Sequence, residues 1–364
     1  MMINFWRSLA LLTAFCFITE ASASNDLSKR AGTVSSLSGP PVDITSGSGG
    51  TYPRANYLSD GSIIGTYTAT VNDNHQLTLV HSTDNGASWS YLGNAATRPT
   101  NTSDLDNPYV LQIPSGRMLL AYRNHDKDEN GTYTFFRITI SYSDDGGVSW
   151  HYLSDPASDP GSVNGNWEPF LRNAQDGSLQ LYYSRENSAS DQDSLMRTST
   201  DGGQTWSAAT TISGQGLNVR DGMVGVATVS GSNLIAVFET SENGLFTVNS
   251  ITSPDDGKTW GNRQRVYTPT GTNNNAGAPQ VVNVGGTMVV SFMTDEDTQL
   301  HDWINGAGAK LLTCGDGGSS WGNKLQVFAP QANWPAMLPL NGDDSGFMYF
   351  ADKGGAKAQK VILS

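Results

Sequence analysis

Two glutamates in apolar surroundings are the residues of this chain best suited to acid–base chemistry. Glu168 lies between Trp167 and the pair Pro169 and Phe170. Such a setting disfavours the charge of a carboxyl group and raises its pKa, as a general acid requires. Glu239 ends the apolar run at residues 234–238, and we expect it to stay ionised. One neutral and one charged carboxyl group form the arrangement that cleaves glycosidic bonds.

When the repeats are aligned, one position recurs at the start of the inner strands, and it is occupied by Arg54, Asp106, Glu168, Arg220 or Asp221, and Trp334. Converging charges are costly to bury without a ligand or mutual pairing, so they are either substrate contacts or an internal ion network, and the sequence leaves both open. The candidate substrate-binding residues are Arg54, Asp106, Asn107, Arg123, Trp167, Arg220, Asp221 and Trp334. We expect Arg220, Arg54 or Arg123 to keep Glu239 charged, and Trp334 to offer a stacking surface for a sugar.

Glu242 is the nearest competitor of Glu239 for the charged role. It falls in the stretch Ser-Glu-Asn-Gly at residues 241–244, a composition typical of an exposed turn. We therefore favour Glu239.

A short motif of hydroxyl, aspartate, glycine and tryptophan at fixed offsets sets the frame for these residues. Its first copy runs from Ser82 to Trp89, and its last has Cys314 in place of the hydroxyl. The aspartate accepts backbone N–H groups of a hairpin turn, the glycine takes a positive φ, and the tryptophan covers the turn. The motif resembles the Asp-box of sialidase-like β-propellers, so its aspartates are structural. They are Asp84, Asp145, Asp201, Asp255 and Asp316.

The spacing of the boxes predicts an all-β fold, a six-bladed β-propeller. Successive box tryptophans are 54 to 61 residues apart, and a fixed period of this size indicates repeated blades. Five blades carry a box, and we expect the sixth to combine the C-terminal strands with a strand near residues 33–45, which closes the ring and removes the sheet edge. We predict no amphipathic helix and one catalytic domain over residues 31–364.

The N-terminal residues predict secretion. Arg7 precedes an apolar run at residues 9–18, and Ala21-Ser22-Ala23 resembles a signal-peptidase site. Residues 1–23 are therefore a predicted signal peptide, and residues 24–30, which end at Lys29-Arg30, a candidate propeptide. Asn101 and Asn130 begin N-glycosylation triplets. We expect a secreted, extracellular monomer.

Composition and motifs argue against several other classes of function. A net charge of −13 opposes binding to nucleic acid, and the apolar run near the N-terminus is too short to be a good membrane span. The five histidines show no metal-ligand spacing, and there is no phosphate loop, nucleophile elbow or cysteine pair. We expect no metal and no organic cofactor.

With the boxes, the six-fold count, Trp167-Glu168-Pro169 and Val237-Phe238-Glu239, the chain resembles the exo-1,5-α-L-arabinanases of glycoside hydrolase family ninety-three. The resemblance implies a retaining enzyme that releases arabinobiose from the non-reducing end of linear arabinan. It implies that Glu168 is the acid/base and Glu239 the nucleophile, with the two assignments open to exchange. It leaves open the product length, the tolerance of branched arabinan and the pH optimum.

Two other functions remain as alternatives. An exo-sialidase would need three arginines and an attacking tyrosine, but Tyr52-Pro53-Arg54 departs from the usual start of that family, and Trp334 stands where the tyrosine is expected. A non-catalytic sugar-binding lectin would repeat its binding residues in each blade, whereas these inner strands all differ. Both differences favour a single asymmetric catalytic site.

Overall fold

The computed structural model describes residues 33–45 and 49–364 of the chain. The predicted signal peptide at 1–23 and the candidate propeptide at 24–30 lie outside these described residues. The strands are β1 (Ser35–Asp43), β2 (Thr51–Tyr57), β3 (Ile63–Val71), β4 (Asn74–Ser82), β5 (Ser90–Pro99), β6 (Ser103–Gln112), β7 (Met118–Lys127), β8 (Tyr133–Ser143), β9 (His151–Pro160), β10 (Asn166–Asn173), β11 (Leu179–Ser188), β12 (Asp191–Ser199), β13 (Thr210–Ser213), β14 (Asp221–Ser230), β15 (Asn233–Thr240), β16 (Thr247–Ser253), β17 (Gly261–Tyr267), β18 (Ala276–Val284), β19 (Thr287–Thr294), β20 (Gly308–Cys314), β21 (Gly322–Phe328), β22 (Asn333–Pro339), β23 (Gly346–Asp352) and β24 (Ala356–Leu363).

Helix is almost absent from this part of the chain. A single turn of 3₁₀ helix spans Glu242–Gly244. Within residues 33–45 and 49–364, no helix has the length and hydropathy that crossing a bilayer would require.

Six four-stranded antiparallel sheets form a six-bladed propeller, as predicted. Blades 1 to 5 each take four consecutive strands, beginning with β2, β6, β10, β14 and β18, and the first strand of each is the inner one. Blade 6 joins β22, β23 and β24 to β1, with Ser35 opposite Leu363. The predicted closure of the ring by the two ends of the described chain is therefore confirmed.

Apolar packing between neighbouring blades holds the ring together. Six clusters of buried residues each join one blade to the next. Residues 234–238 of β15 are all buried because this strand packs against a neighbouring blade on both faces. A strand covered on both sides reads as a continuous apolar run rather than an alternating one.

The Asp-boxes join the third and fourth strands of blades 1 to 5. In the first, Ser82 Oγ donates to Asp84 at 2.8 Å, the Gly86 N–H donates to Ser82 Oγ at 2.9 Å, and the Trp89 indole donates to the Gly86 carbonyl at 3.1 Å. The next three copies repeat these contacts. Their structural reading is confirmed.

The fifth box keeps the same geometry with a thiol. Cys314 Sγ lies 2.7 Å from Asp316 Oδ1, and the Gly318 N–H donates to the sulfur at 3.1 Å. Blade 6 has no box because its third and fourth strands, β24 and β1, are not consecutive in the chain.

We expect Asp316→Ala to destabilise the propeller by roughly 1–2 kcal/mol, because the N–H groups of Ser319 and Ser320 lose their charged acceptor. Cys314→Ser should leave stability nearly unchanged, since serine makes the same two contacts in the other four boxes. Thermal unfolding of both variants measures this. An equal loss in the two variants would contradict the role given to the aspartate.

Candidate functional site

Each inner strand has a bulge at the same level, near the end of the ring where the inner strands begin, which we call the mouth. Pairing with the second strand shifts register there in all six blades. The first bulge residue has a φ between 42° and 54° in every case. These residues are Tyr52, Asn107, Glu168, Met223, Ala278 and Trp334. A side chain at positive φ costs about 1 kcal/mol or more, so the six positions store strain around one axis.

This equivalence corrects the alignment predicted from the sequence. The repeat alignment predicts Arg54, Asp106 and Arg220 or Asp221 as equivalents of Glu168, but the structural equivalents in those blades are Tyr52, Asn107 and Met223. The predicted equivalence of Trp334 is confirmed. The sequence signal that could have located these bulges is proline. Five of the six bulge residues precede a proline, with Met223 the exception, and proline is tolerated in a sheet where a bulge interrupts the ladder.

Glu168 occupies the bulge of blade 3, and its carboxyl group is held largely neutral. Burial raises its pKa to about 8, and the charge of Glu239 adds to the rise. Arg123, the Ser184 hydroxyl and Arg220 oppose it. Glu168 Oε2 is shielded from solvent and has no hydrogen-bond partner in the described chain. The predicted upward shift is confirmed.

Glu239 ends β15 and reaches from blade 4 to blade 5. The backbone N–H of Ala278 donates to Glu239 Oε2 at 2.7 Å. Burial raises the pKa of Glu239 to about 7, opposed by this N–H group and by Arg220. The expectation that Arg220, Arg54 or Arg123 keeps Glu239 ionised was therefore wrong: burial outweighs the charge of Arg220, and neither Arg54 nor Arg123 is a main influence on the pKa of Glu239.

A glycine makes room for the Glu239 side chain. A β carbon on Gly277 would lie 2.3 Å from Glu239 Oε2 and 2.9 Å from the Trp303 ring. The Glu239 carboxylate therefore packs against the start of β18. There it accepts the N–H of Ala278, a residue with a positive φ. Neither Gly277 nor the Ala278 amide was predicted as part of the site.

Arg123 and Arg220 bring positive charge to the mouth, but each already has carboxylate partners. Arg123 contacts Asp104 at 2.9 Å and Asp106 at 3.1 Å, and its guanidinium lies 5.1 Å from the centre of the Trp167 ring. Arg220 contacts Glu186 at 2.6 Å. An internal ion network accounts for both arginines and for Asp106. Both arginines also act electrostatically on Glu168.

Asp221 and Arg54 do not face the mouth as predicted. Asp221 is fully buried, and Arg263 clamps its carboxylate with contacts of 2.5 and 3.0 Å. Arg54 lies beyond the bulge of its strand and donates to the carbonyls of Pro53 and Trp334 at 2.8 and 3.1 Å. Both lie two residues from the bulge residue of their strand, Asp221 before Met223 and Arg54 after Tyr52, so neither occupies the position of Glu168.

Aromatic rings surround the two glutamates. Tyr52 stacks on Trp334, with ring centres 4.4 Å apart and planes 18° from parallel. Trp303 stacks on Phe246 at 5.9 Å, and Trp167 packs edge-on against His125 at 5.0 Å. The described tryptophans outside the boxes, Trp167, Trp303 and Trp334, all lie here. We did not predict Trp303 as part of the site, although its position outside the boxes was a signal visible in the sequence.

Below the bulges the axial channel narrows to a neck. Tyr52, Asn107, Glu168 and Met223 are among the residues around a space of only about 10 Å³, roughly enough for one water molecule. This space is too small for a sugar ring.

The other predicted positions lie away from this centre. Asn101 and Asn130 are in exposed turns, where a glycan would fit, and their glycosylation remains a prediction. Within the ranges that the structure describes, no group of three or more His, Cys, Asp or Glu side chains is arranged to hold a metal ion.

Comparison with protein families matches residues 151–337 to the BNR repeat-like domain. The chain belongs to this family. The match begins with the last strand of blade 2 and ends within β22 of blade 6, so both glutamates of this BNR repeat-like protein lie inside it. A comparison with curated proteins found no match.

Solved structures with the same fold include both arabinan-degrading enzymes and sialidases. An α-L-arabinanase of Penicillium chrysogenum complexed with arabinobiose has 19% identity and a TM-score of 0.70, covering 90% of this chain and 98% of its own. A family ninety-three α-L-arabinofuranosidase of Fusarium graminearum with arabinobiose has 22% identity and a TM-score of 0.66, covering 92% and 98%. A sialidase of Streptococcus pneumoniae has 12% identity and a TM-score of 0.59, covering 95% and 72%. At identities this low, the structural similarity shows that the BNR repeat-like chain shares the propeller fold.

We expect Glu168→Gln to raise the thermal unfolding temperature relative to the wild type, and by more at pH 9 than at pH 5. The folded-state pKa of Glu168 is raised to about 8, so its favourable contribution is present at acid pH and is lost as the pH rises through that value. Glutamine cannot ionise and escapes this loss. Glu129→Gln, at an exposed position, is the matched control and should change little at either pH; an equal shift at both pH values for Glu168→Gln would contradict the burial of its charge.

Proposed function

We propose that this protein is a retaining glycoside hydrolase that acts on linear α-1,5-L-arabinan and releases arabinobiose from the non-reducing end. The observation that supports this best is the pair of carboxyl groups at one mouth, with pKa values raised to about 8 for Glu168 and about 7 for Glu239. Between these values one group can be protonated while the other is ionised, as glycosidic cleavage requires.

In the proposed reaction Glu239 is the nucleophile. Its carboxylate attacks the anomeric carbon and forms a glycosyl-enzyme ester, while Glu168 gives its proton to the departing glycosidic oxygen. Glu168, now ionised, then removes a proton from the water that hydrolyses the ester, which restores both groups. The Ala278 N–H and the charge of Arg220 favour the carboxylate form of Glu239. Retention requires a carboxyl separation of about 5 Å.

A neutral sugar suits this mouth better than an anionic one. The partly exposed rings of Trp334 and Trp303 can pack against sugar rings, whereas Arg123 and Arg220 are already paired with carboxylates. An anionic sialoside would have to displace those partners. The arabinobiose complexes of the Penicillium and Fusarium enzymes support the same substrate class.

The proposed enzyme is a secreted monomer and acts in the exo mode, from the end of the arabinan chain. Secretion rests on the sequence of residues 1–23. A neck too small for a sugar ring supports entry and exit of the substrate by the mouth.

Incubation of the purified protein with linear arabino-oligosaccharides, and separately with sialyllactose, tests the proposal. Chromatography should show arabinobiose from the first and nothing from the second, and NMR of the first product should show retained anomeric configuration. Release of sialate would replace the proposal with a sialidase, and glycan binding without turnover would replace it with a lectin.

The pH profile of kcat/KM should be bell-shaped, with an acidic limb near 7 from Glu239 and an alkaline limb near 8 from Glu168, as apparent values of the interacting pair. Activity falls below the first value because the nucleophile gains a proton, and above the second because the acid loses one. Glu168→Gln should lower kcat by about 100-fold or more and remove the alkaline limb. Glu129→Gln should keep the wild-type profile, and an unchanged alkaline limb in Glu168→Gln would rule out Glu168 as the acid.

Gly277→Ala should reduce kcat with little change in thermal stability, because the added methyl group would lie 2.3 Å from Glu239 Oε2 and must displace the carboxylate from the Ala278 N–H. Gly261→Ala is the matched control, since a β carbon there meets no atom within 4 Å. Steady-state kinetics and unfolding curves of both variants measure the effect. Full activity in Gly277→Ala would show that the position of Glu239 does not depend on this contact.

A further inference from the structure

A buried cation lies in the channel without a carboxylate in contact. Arg54 is 8% exposed, and among residues 33–45 and 49–364 no Asp or Glu lies within ion-pair distance of its guanidinium. The acids that act on it electrostatically, Asp106 and Glu168, do so without contact, and Asp106 is already paired with Arg123. Desolvation is the main cause that lowers the pKa of Arg54 to about 10. The surrounding protein therefore does not compensate the cost of burying its charge.

The guanidinium also has unused donors. A guanidinium carries five N–H groups, and the two hydrogen bonds of Arg54, to the Pro53 and Trp334 carbonyls, both come from Nη1. In the described chain, neither Nε nor Nη2 has an acceptor. Buried charges are otherwise paired or hydrogen-bonded to completion, so a group from outside the chain is the natural complement.

Gln280 is a second buried polar side chain with no partner. It is 8% exposed and makes no side-chain hydrogen bond to any described residue. Its Oε1 lies against Gly225, where a β carbon would come within 2.9 Å. The Gln280 side chain also lines the channel.

Arg54 and Gln280 line the same two spaces. Both border the neck, and both border a cavity of about 290 Å³ that lies farther along the inner strands, towards the Asp-box end of the ring. We call this the lower cavity. The rest of its lining is mostly apolar, with Phe170, Val226 and Met337 among its residues. It also includes the amides of Asn56 and Asn283, but these already donate to backbone carbonyls, whereas Arg54 and Gln280 keep free donors.

We propose that the lower cavity binds a small inorganic anion of the halide class, held between the free N–H groups of the Arg54 guanidinium and the amide of Gln280. A monovalent ion matches the single uncompensated charge, and a site of donors in an apolar cavity suits a weakly hydrated anion better than a sugar with many hydroxyl groups. The site is separate from the mouth and does not depend on the proposed hydrolase activity. Because Arg54 is electrostatically coupled to Glu168 and Asp106, the anion would also offset positive charge beneath the mouth.

Crystals of the wild-type protein grown in sodium bromide test the site directly. Anomalous diffraction should show a bromide within hydrogen-bonding distance of Arg54 in the lower cavity. A cavity that contains only water under these conditions would overturn the proposal.

Thermal unfolding tests the same site in solution. The unfolding temperature should rise with sodium chloride or bromide and saturate, beyond its change in sodium gluconate of equal ionic strength, because binding to the folded state alone stabilises it. Gln280→Ala should reduce this halide-specific rise, whereas Gln326→Ala, at an exposed position of the same blade, should retain it. Arg54→Gln should abolish the rise if that variant folds. An undiminished rise in Gln280→Ala would place the halide elsewhere and refute the site.

Discussion

Ring closure is the constraint on which the rest of this structure depends. The pairing of β1 with β24 joins the first and last described strands in one sheet, and without it blade 6 would have three strands in place of four. Closure directs six inner strands at one axis. Glu168 of blade 3 and Glu239 of blade 4 are far apart in the chain, and they meet because their blades are neighbours in a closed ring.

The candidate site lies at strained backbone positions, where non-glycine residues have a positive φ. All six inner strands adopt a positive φ at the bulge, and the packed blades on either side hold that conformation in place. One of these residues is Glu168 and another is Ala278, whose N–H group binds Glu239. Strain at this level therefore positions both carboxyl groups, and a proline after most of the bulge residues shows how the chain accommodates the break in the ladder.

Burial and charge act against each other around the two glutamates. Desolvation is the largest influence on both carboxyl groups, and it raises their pKa values even though Arg220 acts to lower them. The arginines moderate the shift without cancelling it, because Arg123 and Arg220 are themselves paired with Asp104, Asp106 and Glu186. Farther down the channel, Arg54 has no carboxylate partner because Asp106, which acts on it electrostatically, is already paired with Arg123.

The sequence by itself determined the blade count, the turns and the two glutamates. These follow from local chemistry: a box needs only Ser, Asp, Gly and Trp at short offsets, and an apolar neighbourhood around Glu168 is visible in adjacent residues. The sequence also contained two signals that we did not use, the prolines after the bulges and the tryptophan outside the boxes at Trp303.

Only the tertiary structure decided which side chains share the mouth. Asp221 and Arg54 looked equivalent to Glu168 in sequence, yet the bulges place Met223 and Tyr52, each two residues away, at the level of Glu168. The partners of Glu239 could not be read from its neighbours, because the Ala278 amide and Gly277 come from the next blade. Its pKa likewise depends on burial by several blades, a property that no single stretch of the chain contains.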